Sequence, residues 1–327
     1  MRALRFDTFG DPSVLRLADV ADPQPRDGFA IVRVTAASIN PSDVKNVAGV
    51  MEGTTLPRTP GRDFAGIVES GPSEWVGREV FGTGGGDFGF TTDGSHAELF
   101  AMPVAGLTAK PARLSAREAA CVGVTSLVSW MGLIDYAALQ PGESVAIVGA
   151  GGGVGTMVAQ IARWRGASLI VGVDRHPPAE GSPAARSIDC YVPADEHMSD
   201  GVLAATKGGG ANVVFDTVGG VMFEGALKCL AHKGRLIEIS ATGKTRVEFD
   251  LRDFYHNEGR IIGVDTRKLD AGASAALLAA MLPAFESGAL TAPPIDQAVP
   301  LDGAIEAYRQ VAAGAHARFV LAPSTAT

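Results

Sequence analysis

Cysteine is scarce in this chain. Only three occur in 327 residues, and Cys121, Cys190 and Cys229 lie far apart. They form no C-x-x-C pair and imply no disulfide framework, which suits a reducing, cytoplasmic setting, and buried inert thiols are the expectation for all three. Basic residues are also in the minority, 28 against 36 acidic ones for a net charge of −8. That balance argues against nucleic acid or an anionic membrane as a partner. No apolar run is long enough to span a bilayer, and the opening Met-Arg-Ala-Leu-Arg-Phe-Asp reads as a strand rather than a signal peptide. Internal repeats and low-complexity tracts are missing as well. What the chain has in quantity is apolar residues, 46% of the total. That is ample for a packed core, and the length makes two domains the natural expectation.

The most informative segment is Val145-Ala-Ile-Val-Gly-Ala-Gly-Gly-Gly-Val-Gly155. An apolar strand runs into a glycine cluster, and a helical pattern follows at Val158, Ile161, Ala162 and Arg165. Strand, tight turn and helix in that order make a phosphate cradle, because the helix N-terminus presents unpaired N–H groups and a favourable dipole. The strict G-x-G-x-x-G fingerprint fits no register. G-x-x-G-x-x-G does fit, on Gly149, Gly152 and Gly155, which puts glycine at the turn, at the pyrophosphate approach and at the helix–strand contact. Gly149, Gly152, Gly153, Val154 and Gly155 are therefore candidate cofactor-binding residues.

The first third of the chain reads as β-rich. Phe29–Ala36 and Phe64–Ser70 are strands, set between glycine and proline clusters as in a barrel-like sheet. From Ser115 the texture changes. Ser115 is a helix cap with Glu118 in the capping-box position. Strands at Ser144–Val148, Leu169–Val173, Val213–Phe215 and Arg235–Ile239 then alternate with helices at Thr156–Arg165, Asp200–Thr206 and Val221–Leu230. Such alternation predicts a parallel sheet covered on both faces. After Arg260-Ile-Ile-Gly-Val come a helix over Ala273–Ser287 and a last strand, Arg318–Leu321, which is expected to return to the first domain.

Several segments together resemble the medium-chain dehydrogenase/reductase superfamily, and within it the zinc-independent quinone oxidoreductase and enoyl reductase branch. They are Ala37-Ser-Ile-Asn-Pro-Ser-Asp43, Thr59-Pro-Gly-Arg-Asp-Phe-Ala-Gly-Ile-Val68, Gly123-Val-Thr-Ser126, the glycine loop, Val213-Val-Phe-Asp-Thr-Val-Gly-Gly220 and Gly234-Arg-Leu-Ile-Glu238. The resemblance covers nearly the whole length. It implies an α/β protein with a GroES-like β-barrel-type catalytic domain (1–115 and 267–327) and a doubly wound parallel-sheet Rossmann domain (116–266), with the active site in the cleft between them. Val218 and Ser240 join the candidate cofactor residues on this basis. The family is commonly dimeric through an edge of the Rossmann sheet, and Arg260-Ile-Ile-Gly-Val is a candidate for that edge, although a buried strand would read the same.

Zinc alcohol dehydrogenases of the superfamily hold their ions with cysteine and histidine. Here Asn40 and its neighbours replace the first cysteine, Gly61-Arg62-Asp63 replaces the family's Gly-His-Glu, and residues 80–103 contain no cysteine. Thiolate and imidazole are what a tetrahedral zinc site needs, so no metal is expected, His96 and Cys121 being stray candidates only. Without a Lewis acid, hydride transfer suits an acceptor that spreads its own charge, such as a quinone or an α,β-unsaturated carbonyl. The protein then has to orient the donor and offer hydrogen bonds to a developing oxyanion.

Asn40 is the first catalytic candidate, as a donor to a substrate oxygen, although Asn-Pro-Ser-Asp is also good turn chemistry. Asp43 is expected to cap the helix that follows. Thr125 matches a family threonine near the nicotinamide. The family's tyrosine after the Asn-Pro segment is absent. Lys45 stands nearby and either binds substrate or is a solvated charge. Tyr255 is the tyrosine best placed to reach the site, the proton donor is unassigned, and the 82–90 loop with Phe88 and Phe90 either walls a pocket or is a plain surface loop.

Asp174 ends the second Rossmann strand, about 20 residues past the loop, and favours NAD(H) by accepting from the ribose 2′-hydroxyl. Arg175 beside it favours NADP(H) by pairing with a 2′-phosphate. The habit of the zinc-free branch tips the expectation to NADP(H). Two readings of function result: an NAD(P)H-dependent reductase of quinones or activated alkenes, or a nicotinamide-binding protein with little turnover in a structural or sensing role.

Overall fold

A computed structural model of the chain describes residues 1–295, 297–314 and 318–323. The chain divides into two compact units. The first comprises Met1–Val124, Thr266–Gly288 and the described residues from Pro294 onward; the second comprises Thr125–Asp265 and Ala289–Pro293. No helix among the described residues is long and apolar enough to cross a membrane.

In the first unit β1 (Arg2–Arg5) and β2 (Arg16–Asp19) form an antiparallel ribbon. The central strand is β3 (Phe29–Ser38), which the sequence places correctly. Helix α1 (Pro41–Val47) follows it, and then β4 (Asp63–Ser70), β5 (Glu79–Thr83), β6 (Leu99–Pro103) and β7 (Thr108–Ala109). Both β4 and β6 pair antiparallel with β3, and β5 links β4 to β7. Phe64, Phe88 and Phe100 pack inside this sheet, edge to face at 4.8 and 5.8 Å. Helix α2 (Ala116–Ala120) has the expected capping box of Ser115 and Glu118, and α3 (Gly123–Trp130) follows.

The second unit carries β8 (Ser144–Val148), α4 (Gly153–Trp164), β9 (Leu169–Asp174), α5 (Pro183–Ser187), β10 (Cys190–Pro193), α6 (Met198–Ala205) and β11 (Ala211–Asp216). After them come α7 (Phe223–Lys228), β12 (Leu230–Glu238), α8 (Leu251–His256) and β13 (Arg260–Gly263). All six strands are parallel, in the order β10-β9-β8-β11-β12-β13. The order reverses direction between β8 and β11, so the ends of those two strands flank the switch point where open α/β sheets bind ligands. Val145 to Val148 are at most 1% exposed, which explains their unbroken apolar run, since a parallel sheet is covered on both faces. Leu230, expected to end a helix, opens β12 because it pairs with Ala211.

The chain then returns to the first unit through α9 (Ala271–Ser287), β14 (Gln297–Pro300), α10 (Ala304–Ala312) and β15 (Phe319–Ala322). Strand β15 pairs antiparallel with β3. Strand β15 thus joins the sheet centred on β3, with β14 at its edge.

Candidate functional site

In the second unit, Gly149 leaves β8 with φ 79° and donates to the Val173 carbonyl at 2.9 Å. A Cβ there would stand 2.2 Å from Thr217 Oγ1, so both backbone conformation and space call for glycine. Gly152 is the N-cap of α4 and has no side chain to satisfy the first turn; Gly153 and Val154 begin the helix. The N–H groups of that turn, with the exposed Gly151 and Gly152 beside them, are of the kind that can hold an anion at a helix start. A Cβ on Gly155 would lie 2.2 Å from the Gly149 oxygen, which is how closely helix and loop approach. Helix α4 begins three residues earlier than the periodicity predicts, because glycine carries no apolar signal.

Asp174 ends β9, as expected, but its carboxylate is engaged within the protein. One oxygen accepts from Gly151 N–H and the other from Arg175 N–H, each at 2.7 Å. The Arg175 side chain is exposed next to it. Val218, half-buried in the turn after β11, donates its N–H to Asp216 and accepts from Thr242 N–H at 2.9 Å. Ser240 lies just past β12. All the residues singled out for the cofactor therefore gather at the carboxyl ends of β8, β9, β11 and β12.

In the first unit, Asn40 caps α1 and its N–H donates to Asp43 at 2.8 Å, so Asp43 serves the helix start. Asn40 is 3% exposed. Its amide joins opposite charges: Nδ2 donates to Asp63 at 3.0 Å and Oδ1 accepts from Arg318 at 3.2 Å. Asp63, fully buried, also accepts from Val124 N–H at the start of α3, 2.9 Å away, and from Ser38 Oγ at 3.4 Å. Burial pushes the Asp63 carboxyl up, with Asn40, Arg62, the Val124 amide and Arg318 pulling back. Burial raises Asp43 to about 7, opposed by the Asn40 amide and reinforced by Asp63. In the sequence Asp63 stands out only within Gly61-Arg62-Asp63, which replaces the family's Gly-His-Glu, and Arg318 only as the first residue of the last strand. The Gly-Arg-Asp departure from the family pattern was the one available signal.

Lys45 lies on the exposed face of α1 and is not part of this buried set. Thr125 is buried in α3, where its carbonyl accepts from Ser129 Oγ at 2.7 Å. Phe88 and Phe90 are packed inside the first unit, Phe88 against Phe100 and Phe90 beneath the Arg267 guanidinium, so the loop aromatics serve the core. Of the tyrosines, Tyr255 and Tyr136 are exposed, Tyr191 donates to the Asp174 carbonyl and Tyr308 is buried on His96.

The stray zinc candidates do not suit a metal. His96 has Nε2 on the Ser38 carbonyl at 3.1 Å and Nδ1 on Tyr308 Oη at 2.8 Å, so both ring nitrogens are taken, and burial lowers its pKa to about 4. Burial raises the Cys121 pKa and keeps it a thiol. No group of three or more His, Cys, Asp or Glu among the described residues is placed to hold an ion.

Residues 26–112 match the alcohol dehydrogenase GroES-like domain, and residues 153–281 match the zinc-binding dehydrogenase family. The chain is 36% identical to a zinc-type alcohol dehydrogenase-like protein of Schizosaccharomyces pombe, over 99% of this chain and 98% of that one. It is 30% identical to the quinone oxidoreductase of Mus musculus, over 96% and 95%. Among solved structures, an NAD-dependent alcohol dehydrogenase superposes with a TM-score of 0.89 at 28% identity, covering 99% of this chain and all of that one.

Proposed function

The chain belongs to the medium-chain dehydrogenase/reductase superfamily, in its quinone oxidoreductase branch, and on that premise we propose that this NAD(P)H-dependent oxidoreductase reduces a quinone or an α,β-unsaturated carbonyl without zinc. The observation that carries the cofactor half is the convergence of Gly149, Gly152, Gly155, Asp174, Val218 and Ser240 on one end of one parallel sheet. Bound there, the nicotinamide supplies a hydride. The N–H groups at the start of α4 hold the pyrophosphate, and Gly155 lets the helix come close enough to do so. For the substrate side we assign Asn40, Thr125 and Lys45. Asp63 holds one Nδ2 hydrogen of Asn40 and fixes the amide plane, while Arg318 on Oδ1 draws charge from the amide and strengthens the second Nδ2 hydrogen as a donor to an oxyanion. The zinc-free reading is supported by the two hydrogen bonds that occupy the His96 ring, by the burial that keeps Cys121 a thiol, and by Arg62, which replaces the histidine of the family's Gly-His-Glu and donates to the Gly85 carbonyl at 3.0 Å.

We assign NADP(H) as the preferred cofactor, with Arg175 at the 2′-phosphate. The Asp174 carboxylate, drawn onto two backbone N–H groups, is partly screened from that phosphate. Oxidation of NADPH and NADH followed with quinones, enals and enoyl thioesters tests both points. Turnover with a quinone or an enal and a lower KM for NADPH are expected. Cofactor binding without turnover of any acceptor sinks the reductase assignment, and a marked NADH preference that disappears in Asp174→Ser sinks the cofactor assignment. We further propose a homodimer through β13, the edge strand of the six-stranded sheet, where Ile261 is exposed. Light scattering should return twice the chain mass, and a monomer would refute it.

A further inference from the structure

Asp216 and Glu238 are the last residues of β11 and β12 and stand opposite each other in the parallel register. Asp216 is fully buried. One of its oxygens accepts from Val218 N–H and Gly219 N–H, both at 2.8 Å, while the other makes no hydrogen bond. Both carboxyl oxygens of Glu238 are also buried without a hydrogen bond. The Glu238 carboxyl lies against Gly219, where a Cβ would stand 2.6 Å from its Oε1. Three acceptor oxygens are thus enclosed at two adjacent strand ends. Two neighbouring carboxylates removed from water cannot both ionise cheaply, since each lacks solvation and repels the other. Asp216, with two N–H donors on one oxygen, is the better anion.

We infer that Asp216 and Glu238 together hold one proton at neutral pH, seated on Glu238, and that this proton keeps the 217–220 turn and the segment after β12, with Val218 and Ser240, in the arrangement that receives the cofactor. The inference rests on the assignment of this sheet end as the nicotinamide site. Burial, reinforced by the like charge of Asp216, raises Glu238 to about 8, with the backbone amides of Ser240 and Ile239 pulling the other way. No cationic side chain among the described residues offsets the pair. The 217–220 turn has no ionisable side chain, and β13 offers Gly263 at the matching register, with Asp265 two residues beyond. Burial, with Asp216 adding to it, pushes the Cys229 thiol up to about 12, so it stays neutral. The turn and the segment beyond β12 are tied together by Thr242 N–H on the Val218 carbonyl and Val221 N–H on the Thr242 carbonyl. A second negative charge beneath them strains both. The sign follows: the proton is present below about pH 8 and is lost above it, so cofactor affinity falls with rising pH. Glu238 is in these terms a positioning residue.

Dissociation constants for NADPH and NADH, measured by fluorescence titration between about pH 7 and pH 9.5, should weaken in the natural protein by up to roughly tenfold per pH unit at the alkaline end, the limit for one linked proton. Glu238→Gln keeps the shape without the charge and should flatten that slope. Asp216→Asn still offers an acceptor to Val218 and Gly219 but takes away the like charge that raises Glu238, so it should move the fall to lower pH. Infrared difference spectra, natural protein minus Glu238→Gln, should show a protonated carboxyl C=O band at pH 7 that fades by pH 9.5. Parallel affinity profiles in the natural protein and Glu238→Gln overturn the coupling, and absence of the band overturns the proton. If no form binds either nucleotide, the cofactor assignment falls and the coupling with it, while the band still decides the proton.

Discussion

Asp63→Ala should lower the melting temperature of the first unit by about 10 °C, the equivalent of roughly 3–5 kcal/mol for stripping one partner from a buried charge set. Asp63 sits where β4 begins and collects the Asn40 amide, the Ser38 hydroxyl and the Val124 N–H. Burial raises its pKa despite those partners, so the ionised carboxylate is costly to enclose. That cost is recovered on its removal, but a larger one replaces it. Arg62 and Arg318 remain buried, the Asn40 amide loses the acceptor that fixes it, and the first turn of α3 loses the anion at its N-terminus. Asp63→Ala combined with Arg318→Met should regain part of the loss, because removing both charges leaves fewer stranded groups than removing one. Calorimetry on the single and double variants decides the matter. A single variant melting within about 2 °C of the natural protein would mean that Asp63 is not the centre of this set, since the buried-pair cost predicts several times that shift.

How much of this was legible in the sequence depends on how local each feature is. The glycine loop declared itself because its chemistry is contiguous: an apolar strand, turn residues and an amphipathic helix within Val145–Trp164. The capping box at Ser115 and Glu118 was readable for the same reason, as was Asp174 from its distance to the loop. The Asn40–Arg318 contact was not readable, because its partners are 278 residues apart and meet only when β15 pairs with β3. Glu238 was visible as a strand residue in Gly-Arg-Leu-Ile-Glu, but its enclosure depends on which strand lies next to β12, and sheet order is not written in any one segment. Leu230 erred in the same way, read as helical by local pattern and drawn into β12 by pairing with Ala211. Lys45 could be placed only by its nearness in sequence to Asn40, and which face of α1 carries it, the exposed one opposite the buried Asp43 and Asn46, follows from the packing of that helix.

Gly155→Ala should cost both stability and cofactor affinity, the latter by about 10- to 100-fold, the range that overpacking by 1–3 kcal/mol allows. The added Cβ would stand 2.2 Å from the Gly149 oxygen, 2.7 Å from Ala150 Cα and 2.9 Å from its carbonyl carbon. All three are backbone atoms, with no rotamer to turn away, so α4 has to retreat from the loop by about an ångström to reach ordinary contact. The N–H groups of its first turn retreat with it, and phosphate hydrogen bonds weaken steeply with distance. Gly152→Ala separates this packing effect from anion binding. Gly152 is exposed and already extended at the N-cap, and a Cβ there meets only the Gly149 oxygen at 3.3 Å. That variant should keep its melting temperature and still lose affinity, because the methyl group occupies the space in front of the helix N-terminus that the pyrophosphate takes. Titration calorimetry with NADPH and thermal melts on both variants make the comparison. Full affinity in Gly152→Ala would place the anion away from the α4 N-terminus, whereas full affinity in Gly155→Ala would show that the helix can shift without consequence for what it binds.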